Sequence, residues 1–356
     1  MSYTCKNDFF MNFSSVLIQW YLEHKRPLPW RQTKNPYYVW LSEIILQQTR
    51  VEQGLPYYKK FVETFPVIED LASASEHEVL KLWQGLGYYS RARNLHASAQ
   101  YIVSELNGQF PQSYKELLKL KGVGDYTASA VASICYEEPQ AVVDGNVFRV
   151  LSRIYGIDTP INSGEGKREF KELAQELLDP RRPSDFNQGM MEFGAVQCKP
   201  QQPLCHTCPF AAGCIAYNQG KIKDLPVKLK KAPVKVRHFN YLVFVSREGE
   251  TLLKQRTQKG IWHGLYEFPL VETQVDAGEE LLVKEPAFKK YVTESDPMIR
   301  SFNPSPVVHK LSHQHIHTKF WILDSDELPE AGIPLNRITD YPVPALIEKF
   351  IEGFDF

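Results

Sequence analysis

The sequence predicts two domains, an all-α domain over residues 1–218 and an α+β domain over residues 238–356. In the first part, apolar residues recur at spacings of three and four, which is typical of amphipathic helices. In the last part, short runs rich in β-branched and aromatic residues are bounded by Gly, Pro or Asn, which indicates strands. The length of 356 residues agrees with two domains of ordinary size.

Composition limits the class of protein. With 43% hydrophobic and 23% charged residues, the chain is globular rather than disordered, collagenous or coiled-coil. The formal net charge of -1 gives no general attraction for a polyanion, so a nucleic-acid site has to be argued locally. The sequence lacks an apolar run long enough for a membrane span and a signal-peptide pattern at its start. We therefore expect a cytoplasmic protein.

The helical domain is divided by turn sequences at 85–90, 106–111, 121–125 and 162–166, which are rich in Gly, Asn and Ser. No segment before residue 218 has a convincing strand pattern. The predicted helices lie at 9–24, 36–53, 75–84, 90–106, 113–120, 126–136, 146–154 and 167–178.

A basic segment, 219–237, separates the two domains. It has two prolines and no periodic apolar face, so it is interpreted either as a solvated linker or as a linker that contacts phosphates. The α+β domain after it is expected to contain strands at 240–247, 251–256, 307–311 and 315–323, followed by a closing helix at 344–354.

Four of the six cysteines are concentrated in one short loop. Their spacing is C-x6-C-x2-C-x5-C, over Cys198, Cys205, Cys208 and Cys214. Structural zinc sites usually use two C-x2-C pairs on either side of a longer loop, whereas four thiolates within 17 residues suit a compact cluster. The spacing favours a 4Fe–4S cluster, with zinc as the alternative.

Two glycines, Gly122 and Gly124, separate a helix ending near Leu120 from one beginning near Tyr126. Glycine allows close approach of the backbone, and the free N–H groups at a helix start attract anions. The segment therefore predicts a phosphate-sized site, with an ordinary helix-turn-helix corner as the alternative.

Several segments resemble a known enzyme family. LKLKGVGDYTASAVAS resembles the helix-hairpin-helix of the DNA glycosylase superfamily, here about 113–136, and VVDGNVFRVLSRIYG resembles the stretch with its essential aspartate. The cysteine pattern is shared by the endonuclease III and MutY families. PWRQTKNPYYVWLSEIILQQTRV and LWQGLGYYSRARNLHASA are similar to the MutY family of adenine glycosylases. The segment GIWHGLYEFP resembles the Nudix-like C-terminal domain of that family. The implied fold is a helix-hairpin-helix glycosylase domain with a 4Fe–4S loop at 198–214, and a Nudix-like domain.

Removal of a purine from deoxyribose needs an acid for the leaving base and a negative charge facing the cationic sugar. Glu43 has mainly apolar neighbours in its helix, which raises a carboxyl pKa, although a boundary glutamate is the alternative. The resemblance makes Glu43 the proton donor to adenine. Asp144 alone indicates a helix N-cap, whereas the resemblance makes it the carboxylate that faces the sugar, with Asn146 as its hydrogen-bonding neighbour.

Tyr126 stands where the lyases of the superfamily have a lysine that attacks the sugar. A phenol forms no Schiff base, so the resemblance implies a monofunctional glycosylase in which Tyr126 lies near the sugar. A core aromatic at a helix start is the alternative.

The resemblance also implies a pocket and a set of DNA contacts. The adenine pocket would be lined by Trp30, Arg31, Leu46 and Glu192. Gly122 and Gly124 would contact the DNA backbone. Gln48 and Tyr88 would insert into the DNA base stack near the base opposite the adenine.

In the second domain, the residues after Phe268 contain acids but lack the spacing of a Nudix hydrolase box, so this domain is expected to have no hydrolase activity. Ser312 and His313, in KLSHQHIH, lie in a predicted turn between two strands. They resemble the Ser-His loop by which the family recognises 8-oxoguanine. Ordinary turn residues are the alternative.

Together these features predict a monomeric, nucleoid-associated enzyme that removes adenine opposite 8-oxoguanine or guanine in duplex DNA. One alternative is an endonuclease III-type pyrimidine glycosylase and lyase, which Tyr126 and the additional domain disfavour. The other is a non-catalytic iron–sulfur DNA-binding protein, which Glu43 and Asp144 disfavour because carboxylates near phosphates do not help a pure binder.

Overall fold

The computed structural model describes residues 3–230, 233–292, 298–354 and 356, with side chains from Asn12 onward. The chain forms two compact units that are not simply its two halves. Unit 1 contains Met1–Ser73 and Asn94–Lys230, and unit 2 contains Ala74–Arg93 and Lys231–Phe356. A short stretch of the helical region therefore belongs to the same compact unit as the C-terminal residues.

The helical region agrees with the predicted all-α class, since the described residues 3–218 contain no strand. None of the helices in the described ranges is long and apolar enough to cross a membrane. The helices are α1 (Tyr3–His24), α2 (Pro36–Leu46), α3 (Val51–Thr64), α4 (Ile68–Ser73), α5 (Glu76–Trp83), α6 (Ser90–Glu105), α7 (Tyr114–Leu117), α8 (Asp125–Tyr136), α9 (Gly145–Tyr155), α10 (Gly164–Leu177), α11 (Pro183–Glu192) and α12 (Ile215–Asn218).

The single helix predicted over 36–53 is wrong. The chain leaves α2 after Leu46 and starts α3 at Val51, because Gln48 adopts a left-handed backbone with φ of 55°. A non-glycine residue rarely takes this conformation, and neither glycine nor proline marks the break in the sequence. The helices α3, α4, α11 and α12 were also not predicted.

Capping residues and helix packing hold α2, α8 and α9 in place in unit 1. Asn35 accepts a hydrogen bond from the Tyr37 amide at the start of α2, and Pro36 occupies the first helical position. Helix α8 packs against both α2 and α11, and α9 packs against α11. The N-terminal half of α8 is thus surrounded by the helices that carry the other polar residues predicted for the site.

The segment predicted as a basic linker packs against unit 1 as far as Lys230. Leu225 is buried in the helical core, and the Ile161 amide donates to the Val227 carbonyl at 3.0 Å. The Asn162 side chain accepts from the Leu229 amide and donates to the Leu229 carbonyl. The lysines of the segment that the structure describes remain exposed, while residues 231 and 232 lie outside the described ranges.

Unit 2 contains a mixed five-stranded sheet and two short ladders. In the main sheet the order is β5–β1–β8–β6, and β7 also pairs with β8; β1 and β8 are parallel and the other pairs are antiparallel. The strands are β1 (Lys235–Ser246), β2 (Glu250–Thr251), β3 (Lys254–Gln255), β4 (Tyr266–Glu267), β5 (Leu270–Thr273), β6 (Met298–Ser301), β7 (Val307–Lys310), β8 (Gln314–Ser325) and β9 (Ile333–Pro334).

Helices cover both faces of this sheet. They are α13 (Glu279–Leu282), α14 (Pro286–Lys289) and α15 (Ala345–Gly353). Trp321 shares a buried cluster with Leu282 of α13 and Phe288 of α14. Its neighbour Phe320 points to the opposite face and stacks on Phe350 of α15 with ring centroids 4.1 Å apart. Burial of both faces explains the continuous apolar runs in the two central strands.

The predicted α+β class of the C-terminal region is confirmed, including its closing helix. The strand predicted at 251–256 is wrong as a continuous element, because β2 pairs with β9 and β3 pairs with β4. Strands β4, β5, β6 and β9 and helices α13 and α14 were not predicted.

Candidate active site

Eight predicted site residues line one cavity of about 160 Å³ in unit 1. Four were predicted for catalysis and four for the base pocket. They come from the turn before α2, from α2 itself, from α8, from the start of α9 and from the end of α11. They are Glu43, Tyr126, Asp144, Asn146, Trp30, Arg31, Leu46 and Glu192.

Glu43 lies in the middle of α2 and is only 6% exposed. Burial raises its pKa to about 7, although a hydrogen bond with Tyr126 opposes the rise. Burial and the nearby carboxyls raise the pKa of Tyr126 well above its usual value, so the phenol stays protonated. Its hydroxyl also lies 3.3 Å from Met191 Sδ. Glu43 can therefore hold a proton near neutral pH.

Asp144 is the N-cap of α9, as predicted from its sequence context. Its Oδ1 accepts from the amides of Asn146 at 2.9 Å and Val147 at 2.8 Å, and its Oδ2 accepts from Asn146 Nδ2 at 2.7 Å. Burial raises the pKa of Asp144 above its usual value, and these three hydrogen bonds and the charge of Arg149 offset the rise only in part. The cap fixes both carboxylate oxygens and favours the ionised form.

Arg149 fixes the other end of the Asn146 side chain. Its Nη2 donates to Asn146 Oδ1 at 2.8 Å and to the Gly194 carbonyl at 2.7 Å, while its Nε donates to the Cys198 carbonyl at 2.8 Å. This buried guanidinium connects the start of α9 with the π-helical turn Phe193–Gln197 and with the first cysteine of the loop.

A buried ion cluster forms another part of the cavity wall. Glu192 is fully buried, and its oxygens accept from Arg26 and Arg31 at 2.8 Å. Burial alone would raise the pKa of Glu192, but the hydrogen bonds from the two arginines outweigh it and lower the pKa to about 2. Glu192 is therefore a fixed negative charge rather than an acid, unlike Glu43. Trp30 adds an apolar wall and contacts Tyr58 edge-on, with ring centroids 5.1 Å apart.

Four polar or polarisable residues of the cavity were not predicted. They are Arg26, Thr49, Gln188 and Met191. A signal for Arg26 was present in the sequence. A buried glutamate needs cationic partners, and the segment RPLPWR begins and ends with an arginine. Gln188 and Met191 lie on α11, which was not predicted as a helix, so no pattern indicated them.

The predicted DNA-contact residues do not line this cavity. Gln48 is exposed in the turn between α2 and α3. Gly122 has φ of 79°, and a Cβ there would lie 2.6 Å from Asn94 Cβ, so both its conformation and its space require glycine. Gly124 is the N-cap of α8, with no atom near the position of a Cβ.

Three further predicted residues lie in unit 2. Tyr88 is 47% exposed and has φ of 48°. Ser312 and His313 are exposed in the turn between β7 and β8, where the Leu311 amide donates to the Gln314 carbonyl at 2.9 Å. The predicted position of these two residues in a turn is confirmed.

The four loop cysteines line a second cavity in unit 1, together with Arg153. Arg153 donates to the carbonyls of Lys199 and Pro200, and its Nη1 lies 3.5 Å from Cys198 Sγ. Among the described residues, no three His, Cys, Asp or Glu side chains converge as ligands of one metal ion.

Known proteins are similar to this chain over both regions. Residues 41–180 match the family described as HhH-GPD superfamily base excision DNA repair protein, and residues 240–353 match the NUDIX domain family. The predicted helix-hairpin-helix domain and the Nudix-like domain are thus confirmed.

Two curated relatives share most of their length with this chain. The adenine DNA glycosylase of Buchnera aphidicola subsp. Schizaphis graminum is 33% identical, over 96% of this chain and 98% of that protein. The adenine DNA glycosylase of Mus musculus is 34% identical, over 90% of this chain and 72% of that protein. A solved structure described as a thermostable thymine-DNA glycosylase is 30% identical with a TM-score of 0.56, covering 60% of this chain and 99% of that one. The chain belongs to the adenine DNA glycosylase family within the HhH-GPD superfamily.

Proposed function

We propose that this chain removes adenine opposite 8-oxoguanine or guanine in duplex DNA and leaves an abasic site. The observation that carries the proposal is the pairing of Glu43, whose pKa is raised to about 7, with the N-capped Asp144 around one cavity. Two carboxyl groups in different environments divide the acid role from the charge-stabilising role.

Glu43 supplies the proton. After adenine has flipped out of the duplex into the cavity, the protonated carboxyl donates to a ring nitrogen of the base. The base then departs as a neutral molecule and the bond to the sugar breaks. The resulting Glu43 carboxylate accepts a proton from the water that attacks the sugar carbon, which returns the acid to its starting state.

Asp144 stabilises the oxocarbenium-like sugar as the bond breaks. Its three hydrogen bonds hold the carboxylate in one orientation before the reaction, so little reorganisation is needed when the positive charge develops. Asn146 acts through Asp144 and is a positioning residue. Tyr126 keeps Glu43 in place through their hydrogen bond.

The base pocket combines an apolar wall with a fixed ion cluster. Trp30 and Leu46 give the flipped purine an apolar surface. Glu192 forms the polar part of the wall together with Arg26 and Arg31, which occupy its two oxygens with four hydrogen bonds. Arg31 stays bound to Glu192 and preserves its charge.

The absence of a lysine at position 126 separates this proposal from a lyase. Borohydride added during turnover should trap little covalent protein–DNA adduct, and strand cleavage should need added base or heat. Efficient trapping would instead support the endonuclease III-type alternative, because only an amine nucleophile gives a reducible imine.

We also propose a 4Fe–4S cluster held by Cys198, Cys205, Cys208 and Cys214. When bound, such a cluster would cross-link the loop and leave the four sulfurs as thiolates. Burial raises the pKa of Cys208 to about 11, so a bound cation is needed for a stable thiolate there. Protein purified without air should contain four iron and four sulfide per chain, whereas stoichiometric zinc would contradict the proposal.

The contacts with duplex DNA would come from both units of a monomer. Gly122 and Gly124 present backbone amides to a phosphate, and Gln48 and Tyr88 enter the stack near the opposing base. Ser312 and His313 contact the 8-oxoguanine. The net charge of -1 makes these local contacts, rather than a general attraction, responsible for binding.

The proposal is tested with three duplexes in single-turnover assays. They contain adenine opposite 8-oxoguanine, adenine opposite guanine, and thymine glycol. We expect excision in the first two, faster with 8-oxoguanine, and none in the third. Binding without excision in all three would support the non-catalytic alternative.

A further inference from the structure

The loop that presents Tyr88 is internally braced. The Gly87 carbonyl accepts from Trp83 Nε1 at 3.1 Å and from Arg91 Nη2 at 3.2 Å. The Arg91 guanidinium also lies 5.7 Å from the centre of the Tyr88 ring. Tyr88 therefore projects from a defined turn in a left-handed conformation, with nearly half of its side chain exposed.

Gln84 joins this loop to the C-terminal residues of the same compact unit. Its Nε2 donates to Glu348 Oε1 at 2.7 Å, and its Oε1 accepts from the Val343 amide at 3.2 Å. Tyr89 contributes a hydroxyl that donates to the Val343 carbonyl at 3.4 Å. The side-chain amide of Gln84 thus contacts both α15 and the segment that precedes it.

The opposite end of the 74–93 stretch is also held closely in unit 2. Arg93 Nη1 donates to the His263 carbonyl, and Gly264 has φ of 85°. A Cβ on Gly264 would lie 3.1 Å from Glu76 Oε1 and 3.3 Å from Leu80 Cδ1. The stretch is therefore packed as an element of unit 2, together with the turn that carries Ser312 and His313.

We propose that Gln84 is a positioning residue that holds the Tyr88 loop in register with the Ser312–His313 turn. The aromatic side chain and the hydrogen-bonding turn then meet the opposing base as parts of one unit, so that correct placement of either favours the other. This inference rests on the proposed preference for 8-oxoguanine. The hydrogen bond between Gln84 and Glu348 can be broken by one substitution and restored by a second.

The test is a charge exchange across that contact. Gln84→Glu places two carboxylates against each other on the Glu348 side, while its other oxygen keeps Lys81 Nζ, which lies 3.3 Å from Gln84 Oε1, and the Val343 amide as donors. Glu348→Gln in the same chain restores a donor opposite the new acceptor. The full-length holoprotein is assayed under single-turnover conditions with adenine opposite 8-oxoguanine and opposite guanine. The measured quantity is the ratio of the two excision rates.

We expect Gln84→Glu to lower this ratio roughly tenfold, since small displacements of a positioned group have effects of this order or larger. The double variant should return to within about twofold of wild type. In a Tyr88→Ala background, Gln84→Glu should cause no further loss, because both changes remove the same effect.

Three results distinguish a failure of the proposed function from a failure of the inference about Gln84. A wild-type chain without any preference for 8-oxoguanine contradicts the proposed function itself. A clear wild-type preference that Gln84→Glu leaves intact overturns only the inference. A loss that Glu348→Gln does not restore, or that adds to the loss from Tyr88→Ala, also overturns it, because Gln84 would then act by another route.

Discussion

Arg149 Nη2 lies 2.8 Å from Asn146 Oδ1 and donates a hydrogen bond to it. Since Asn146 Nδ2 donates in turn to Asp144, two hydrogen bonds through one side chain connect the buried guanidinium to the carboxylate. The same arginine binds the Cys198 carbonyl. Arg149 therefore links the start of the cysteine loop to the hydrogen bonds that orient Asp144.

Replacement of Arg149 by Gln should lower the single-turnover rate of adenine excision by about two decades. Asn146 would lose the donor that orients its amide, and Asp144 would lose a nearby positive charge. Arg168→Gln is the matched control, since that arginine is exposed and pairs only weakly with Glu172. Iron content is measured beside the rate. A normal rate with normal iron would show that the arginine is not needed for the carboxylate.

The catalytic roles of Glu43 and Asp144 should be separable from the binding of duplex DNA. We expect Glu43→Gln and Asp144→Asn each to nearly abolish excision and to leave the affinity for duplex DNA within a few-fold of wild type. The first change removes the transferable proton, and the second removes the charge that faces the sugar. Rates and binding isotherms are measured at one salt concentration, with Glu23→Gln as an exposed control. A variant that keeps the wild-type rate removes its residue from the mechanism.

The buried acid also predicts a pH-dependent cost in stability. The pKa of Glu43 rises from 4.5 to about 7 in the folded protein, so the native state binds the proton more tightly than the unfolded chain. Stability from this group is present below pH 4.5 and is lost as the pH rises to about 7, up to about 3 kcal/mol. Glu43→Gln does not titrate, so its thermal midpoint should exceed that of wild type more at pH 8.5 than at pH 5.5. An equal difference at both pH values would contradict the raised pKa.

The rate of adenine excision should depend on the protonation of Glu43. A general acid is active when protonated, so its pH dependence is opposite to that of a general base. Because the reaction begins with protonated Glu43, the single-turnover rate should fall as the pH rises through about 7. The cleanest measurement uses a duplex with guanine opposite adenine at several pH values. A rate that increases steadily from pH 6 to pH 9 would exclude Glu43 as the initial acid.

Much of the site was accessible from the sequence because its residues stand in local patterns. Asp144 precedes Gly145 and an apolar helical run, which predicts a cap, and the structure has that cap. The raised pKa of Glu43 followed from its apolar helical neighbours. These properties depend on residues within one turn of helix, which is why spacing alone indicates them.

Other features depend on long-range contacts or on rare backbone conformations, which local sequence patterns do not indicate. Gln48 ends a helix by a left-handed conformation that other residues seldom adopt. Arg26 is 166 positions from Glu192, and Gln84 is 264 positions from Glu348. The inclusion of 74–93 in unit 2 has the same origin, because its helix has an ordinary amphipathic pattern that fits either set of neighbours.

The turn between β7 and β8 should determine the preference for the oxidised base. Oxidation changes one ring nitrogen of guanine from acceptor to donor and adds a carbonyl oxygen, so the Ser312 hydroxyl and the His313 ring can distinguish the two bases. Each good contact contributes about 1–3 kcal/mol of discrimination, or roughly one to two decades in rate ratio. Their exposure in the turn leaves both side chains available to DNA.

Replacement of Ser312 and His313 together by alanine should therefore reduce the ratio of excision rates, 8-oxoguanine over guanine, by at least about tenfold. The rate with guanine opposite adenine should change much less, since the catalytic cavity belongs to unit 1. Ser301→Ala, an exposed serine on β6 of the same sheet, is the control. If the double variant keeps the full ratio while the control behaves as wild type, recognition of the oxidised base lies elsewhere. Gln48 and Tyr88 would then be the next residues to substitute, because they were predicted to enter the stack beside that base.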